Sequence, residues 1–314
     1  GEYRYILEKG YPICKRSRAL GEIARGQECL AVAGTHGKTT TTSMVSLILE
    51  RAALSPTILV GGILSQFGGN VKVGNSEYFV TEACEYVDSF LQLQPWAEII
   101  LNIDSDHLDY FKDINHIQRS FQTFADKVPE NGIIFAYDSN PFVKSVVSDL
   151  KCRVVTFGFN ETSNFYAKNI TFDENGSTAY DLCGPEGFIT SIRLAVPGEH
   201  NVANSLAAVA ACSTFGVSMD IIKATLEEFT GTQRRFDIIG RTEDNVIVVD
   251  DYAHHPTEIK ATLSAAKNMP HRKTWCLFQP HTYTRTAALF DDFLEQLKRP
   301  DVVMLAEIFA AREK

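Results

Sequence analysis

One local pattern constrains this chain more than any other. A short apolar run, Cys29-Leu30-Ala31-Val32-Ala33, passes directly into Gly34-Thr35-His36-Gly37-Lys38-Thr39, and a stretch with Met44, Leu47, Ile48 and Ala52 at helical spacing follows. A buried strand, a glycine turn and a helix in that order form a phosphate cradle. The glycines permit tight backbone turns that face successive N–H groups inward. The helix N-terminus adds partial positive charge. Lys38 is placed to reach the β- and γ-phosphates of a nucleotide, and Thr39 to ligate Mg²⁺. One position departs from the common motif: Val32 stands where its first glycine belongs.

The rest of the chain extends that unit. Strand patterns fall at 57–60, 78–81, 99–103, 133–137 and 154–157, with helical patterns at 114–127 and 141–150 between them. Strands alternating with helices predict a mostly parallel α/β sheet. Between 164 and 194 the pattern changes to alternating strands with turn signals at Glu174-Asn175-Gly176 and Gly184-Pro185, which predicts an antiparallel extension. Helices are expected at 200–215 and 220–229. The alternation then restarts, with strands at 246–249, 273–278 and 302–305 and helices at 256–266 and 287–297. We therefore expect a central domain over 28–231 and a further α/β domain over 232–314, with 1–27 outside both. The second domain has few strands for its class and reads as truncated.

Composition narrows the function. Lys+Arg 30 against Asp+Glu 39 leaves a net charge of −9, which argues against a nucleic-acid binder. The 45% hydrophobic and 22% charged residues are those of a folded globular chain. Seven scattered cysteines without a C-x-x-C pair read as free thiols of a reducing compartment, and no apolar run approaches a membrane span or a signal peptide. The expected setting is cytoplasmic, with no membrane partner and no obligate protein partner.

Six further segments occur in one order: Glu82-Ala83-Cys84-Glu85, Asn102-Ile103-Asp104-Ser105-Asp106-His107-Leu108-Asp109, Gly198-Glu199-His200-Asn201-Val202-Ala203-Asn204, Arg234-Arg235-Phe236, Asp251-Tyr252-Ala253-His254-His255-Pro256, and Phe278-Gln279-Pro280-His281-Thr282-Tyr283-Thr284-Arg285-Thr286. With the loop Gly34-Thr35-His36-Gly37-Lys38-Thr39-Thr40, they resemble the Mur ligases, the ATP-dependent amide-bond formers of peptidoglycan synthesis. The resemblance covers most of the chain and is strongest to members that join L-alanine to UDP-N-acetylmuramate. It implies a P-loop ATPase domain with a parallel sheet, followed by a Rossmann-like domain that brings the amino acid. Against that three-domain plan, 1–27 matches only the tail of the sugar-nucleotide domain, and the chain reads as a piece lacking both ends.

The same resemblance implies roles for single residues. The loop from Gly34 through Thr40 holds ATP, with His36 acting through its backbone. Thr39 and Glu82 bind one Mg²⁺ and His107 a second. Asn201 and Asn204, three apart on one helical face, hold the adenine, although Asn201 also stands where a helix cap would. Arg235 reaches the γ-phosphate. Asp251 binds the ribose, chosen over neighbouring Asp250 because it begins Asp-Tyr-Ala-His. Tyr252 and His254 face the amino acid, His254 as the group that accepts a proton from the ammonium, while His255 is open to a structural reading. Arg285 grips the substrate carboxylate beside His281, with Thr282 where some members carry a second arginine. The implied chemistry passes through an acyl phosphate, with Lys38, His107, Arg235 and His254 as the catalytic set. A ligase attaching an L-alanyl tripeptide to the same sugar nucleotide, and a nucleotide-binding piece without ligase activity, are the alternatives.

Overall fold

The computed structural model describes all residues except 1, 65, 174, 175, 312 and 314. Two helices come first, α1 (Glu2–Glu8) and α2 (Arg16–Ala24), where the sequence showed only a mixed polar stretch. Helix α1 buries no residue, whereas α2 buries Gly21 and Ala24. A Cβ at Gly21 would lie 2.2 Å from the carbonyl oxygen of Gln92, so α2 packs backbone to backbone on the short 3₁₀ segment Tyr86–Gln92.

The large sheet is built from β1 (Glu28–Ala33), β2 (Thr57–Leu64), β3 (Gly69–Lys72), β4 (Tyr78–Glu82), β5 (Ala97–Ile100), β6 (Ile133–Tyr137), β7 (Arg153–Gly158), β8 (Phe165–Phe172), β9 (Thr178–Gly184) and β10 (Gly187–Leu194). Its order is β10-β9-β8-β7-β6-β5-β1-β4-β2-β3. The run from β2 through β4, β1, β5, β6 and β7 to β8 is parallel, and β3, β9 and β10 are antiparallel additions. The antiparallel extension expected after residue 164 is present. Glu174 and Asn175 of its first predicted turn lie outside the described residues.

Both faces of the sheet are covered, as parallel strands buried on both sides require. On one face α3 (Lys38–Arg51), α6 (Glu199–Thr214) and α7 (Met219–Glu228) pack their apolar sides with Val32, Ile99, Phe135 and Phe157. On the other, α4 (Ile114–Ala125) and α5 (Pro141–Val147) pack Phe121, Phe124, Val143 and Val146 with Ile100 and Ile134. Asp113 caps α4 and Asn140 caps α5, each accepting from backbone N–H groups of the first turn.

The remaining elements form two small sheets. β11 (Asp237–Arg241) pairs antiparallel with β12 (Ile247–Asp250), and β13 (Trp275–Phe278) pairs parallel with β14 (Val302–Leu305). Helix α8 (Pro256–Lys267) lies between them in the chain. The single helix expected over 287–297 is instead two, α9 (Tyr283–Ala288) and α10 (Phe290–Leu297), because Leu289 leaves the helical region at φ −115. The predicted strand 99–103 also shifts: β5 ends at Ile100, because Asn102 turns its side chain to the phosphate loop. Among the described residues no helix is long and apolar enough to cross a membrane.

Candidate active site

Helices and strands deliver the site to the C-terminal edge of the parallel strands, where open α/β sheets bind ligands. Strand β1 ends at Ala33, and Gly34 follows with φ +142. A Cβ there would sit 2.9 Å from Leu101 Cβ, so only glycine lets the loop pass this close to β5. Gly37, at φ +86, caps α3, and Lys38 is the first helical residue. Asn102 clamps the loop from outside: its Oδ1 accepts from His36 N–H at 2.8 Å and its Nδ2 donates to His36 C=O at 3.0 Å. Sequence reasoning gave Asn102 no role. Its signal was an amide directly after a buried strand facing the glycine loop.

Lys38 Nζ donates to the Gly34 and Thr35 carbonyls and forms an ion pair with Glu85 at 2.9 Å. Burial by itself lowers the ammonium's pKa, but Glu85, Cys84 and Glu82 together outweigh it and the net shift is upward. Glu85 is thus a second residue left without a role by the sequence.

Glu82 ends β4 in register with Val32 of β1, one strand from the loop, and its Oε1 accepts from Gly61 N–H. Thr39 is buried in the first turn of α3. His107 adopts φ +54, and its ring packs tilted against that of Tyr86 with centroids 4.7 Å apart. Its Nε2 is 3.7 Å from Glu85 Oε1, and its buried Nδ1 has no hydrogen-bond partner among the described residues. Burial lowers its pKa, which keeps a nitrogen lone pair open. Thr39 and Glu82 offer oxygen donors of the kind a hard divalent cation takes, and the unpartnered His107 nitrogen offers a donor to a second ion.

A cavity of about 560 Å³ opens beside the loop, within the range of small-molecule sites. Its floor includes Asn201 and Asn204 on α6. The helix cap is Gly198, not Asn201, whose Nδ2 reaches back to Pro197 C=O at 2.7 Å while its Oδ1 accepts from Asn204 Nδ2 at 3.2 Å. Its far wall carries Arg235 and Asp251. Asp251 is raised in pKa by burial, and its oxygens accept from Phe236 N–H, Ala253 N–H and Thr262 Oγ1, so it also fastens the junction. Asp250, the other choice, is exposed and 3.8 Å from Arg234.

Residues of the last 80 positions close over this edge. His255 caps α8, accepting from Thr257 N–H, and its Nε2 meets Ser105 C=O at 2.9 Å, which is the structural reading left open for it. Thr257 Oγ1 donates to Asp104 at 2.7 Å. Arg285, buried, donates from Nε to Asp106 at 2.9 Å, and its Nη1 is 3.1 Å from His281 Nδ1. His254 Nδ1 is 2.8 Å from Tyr252 C=O, and its ring lies 5.6 Å from that of His281. Tyr252 is partly exposed, with both Arg234 and Arg235 over its ring. His36, expected to act through its backbone, also places its ring at the centre of this seam, 3.5 Å from Asp104 and 3.3 Å from Glu258. His36, Asp104 and His255 bring ligand-type atoms within 4.8 Å of one another, but both His255 nitrogens are already engaged.

Comparison with known proteins matches residues 32–212 to the Mur ligase middle domain and residues 234–313 to the Mur ligase glutamate ligase domain. A UDP-N-acetylmuramate–L-alanine ligase of Caldanaerobacter subterraneus subsp. tengcongensis is 50% identical over 314 residues, covering 100% of this chain and 68% of its own. One from Acetivibrio thermocellus is 50% identical over 307 residues, covering 97% of this chain and 65% of its own. The chain spans about two thirds of the length of these curated relatives. Among solved structures, the UDP-N-acetylmuramate-alanine ligase of Thermotoga maritima superposes with a TM-score of 0.76 at 28% identity, covering 93% of this chain and 64% of its own.

Proposed function

The chain belongs to the Mur ligase family, and from that premise we propose that it is the ATP-using part of a cytoplasmic ligase joining L-alanine to the lactyl carboxylate of UDP-N-acetylmuramate. The observation that carries this reading is the cavity of about 560 Å³ set between the phosphate loop and the Arg235–Asp251 wall, with His254, His281 and Arg285 gathered beyond that wall.

The loop from Gly34 to Thr40 would cradle the phosphates with backbone N–H groups, and Asn201 and Asn204 would meet the adenine edge. Thr39 and Glu82 would hold one Mg²⁺ and His107 a second, and these ions when bound would neutralise phosphate charge. Lys38 and Arg235 would oppose the negative charge that grows as the carboxylate oxygen attacks the γ-phosphorus and ADP leaves. The product of that step is an acyl phosphate. The amine then attacks its acyl carbon, phosphate departs, and His254 takes the ammonium proton so that nitrogen presents a lone pair. Arg285 would orient the amino-acid carboxylate.

The test is phosphate release by the protein in its natural full length, supplied with ATP, Mg²⁺ and UDP-N-acetylmuramate. Release that requires L-alanine is expected. Release only with an L-alanyl tripeptide would move the protein to the alternative sugar-nucleotide ligase, and release with neither would leave nucleotide binding alone.

A further inference from the structure

Glu258, in the first turn of α8, had no place in the sequence reading, yet its carboxylate gathers three elements of the site. Its Oε1 is 3.3 Å from His36 Nδ1 of the phosphate loop, 222 residues away, and 3.7 Å from Arg235 Nη1 at the junction. Its Oε2 accepts from His254 N–H at 3.1 Å and lies 3.4 Å from His254 Nδ1. The side chain is 15% exposed. A carboxylate withdrawn from water to this degree is costly unless it is paired, and here every neighbour is a donor or a cation.

The other end of His36 meets a second carboxylate, Asp104, at 3.5 Å, and Asp104 in turn accepts from Thr257 of α8. The loop imidazole therefore stands between one acid from the strand edge and one from α8. The His255 ring packs beside it at 4.7 Å. His200, at the start of α6, also lies in the field of Glu258, with its own pKa lowered to about 4 by desolvation.

We propose that Glu258 is a positioning residue that ties the phosphate loop to the amine side of the site, so that Arg235 and His254 are aligned on the bound phosphates by a single carboxylate. The proposal rests on the ligase reading above. Without this tie α8 keeps its Thr257–Asp104 and His255–Ser105 contacts to the strand edge but loses its direct hold on the His36 ring, on Arg235 and on His254, and a displacement of about 1 Å at reacting groups costs up to about a hundredfold in rate. The ionic state of the tie agrees. Burial lowers the His36 pKa, but Asp104 and Glu258 outweigh burial and raise it to about 9. Glu258 is held well below the usual carboxylate range by His36, His254 and Arg235, against the upward push of burial.

The test uses E258Q in the full-length protein, which keeps the shape and one acceptor oxygen but removes the charge. We expect kcat to fall about ten- to a hundredfold while KM for ATP changes less than about threefold. The His36 ring, followed by NMR, should titrate about one unit or more lower than in the wild type. E258Q should accordingly lose activity as pH rises from 7 to 8, where the wild-type ring stays charged. H36N should lower kcat similarly, and the double variant should cost no more than the worse single one. That pair carries the test should E258Q fold poorly. Wild-type kcat in E258Q and H36N, or an unmoved His36 titration in E258Q, would overturn the proposal. If the wild type releases no L-alanine-dependent phosphate, the ligase reading fails, and the ring titration still decides whether Glu258 holds the loop.

Discussion

Lys38 and Glu85 form an ion pair inside the phosphate loop, Nζ to Oε2 at 2.9 Å, with the glutamate side chain 3% exposed. The ammonium also donates to the carbonyls of its own loop. An incoming phosphate must therefore draw Lys38 away from Glu85, and any substitution of the lysine leaves a buried carboxylate alone. Lys38→Ala should lower turnover by about a hundred- to a thousandfold. It should also cost about 3–5 kcal/mol of stability through the stranded acid. K38A/E85Q should regain stability but not turnover. Phosphate release and denaturant unfolding separate the two effects, and near-normal turnover in K38A would sink the assignment of Lys38.

Gly37 brings the phosphate loop against Asn204 of α6. Its φ is +86, and a Cβ there would fall 2.5 Å from Asn204 Oδ1. Gly37→Ala should therefore cost about 1–2 kcal/mol in backbone strain and push Asn204 aside. ADP affinity measured by calorimetry should drop about tenfold or more. An unchanged affinity would separate Asn204 from the nucleotide.

Glu98 sits in the middle of β5, fully buried, with both carboxylate oxygens unpartnered among the described residues. Burial raises its pKa well above the ordinary 4.5. A raised acid pKa favours the native state only while the group stays protonated. This contribution is complete below the unfolded value near 4.5 and declines as pH rises through the folded value. Glu98→Leu should remove that decline and stabilise the protein at pH 8 by about 1–3 kcal/mol. Thermal unfolding of both proteins at pH 5 and pH 8 checks it; equal pH slopes would refute it.

Arg285 and Asp106 lock α9 onto the loop after β5. Burial pushes the Asp106 carboxyl up, but His107 and Arg285 prevail and hold it near 2. A depressed acid pKa adds stability that is complete above the unfolded value of 3.8 and is lost as pH falls through about 2. Asp106→Asn should flatten the stability profile between those limits in acid denaturation. Arg285→Lys should keep a charge beside Asp106 but lose the planar fork, raising KM for L-alanine about tenfold or more with little change in KM for ATP. A proportional change in both would make the residue structural.

Most of the scaffold was legible in the residues. Hydrophobic runs and their alternation located β1, β6 and β7 to within a residue, because a buried parallel strand needs a continuous apolar segment whatever surrounds it. Helix α2 was not legible, since its burial depends on Gly21 meeting the backbone at Gln92, a contact between distant segments. The break between α9 and α10 was missed because apolar periodicity continues across it while the backbone at Leu289 does not.

The candidate site divides along the same line. Local chemistry determined the phosphate loop: glycines at Gly34 and Gly37, a lysine and a threonine at a helix start, and a strand behind them, all within about a dozen residues. Tertiary structure alone decided which distant side chains serve that loop. Glu85 reaches Lys38 across 47 residues, Asn102 clamps His36 across 66, and Glu258 meets the same histidine across 222. A carboxylate's role depends on which charge shares its low-dielectric surroundings, and that is set by how strands and helices pack, not by the residues beside it in the chain.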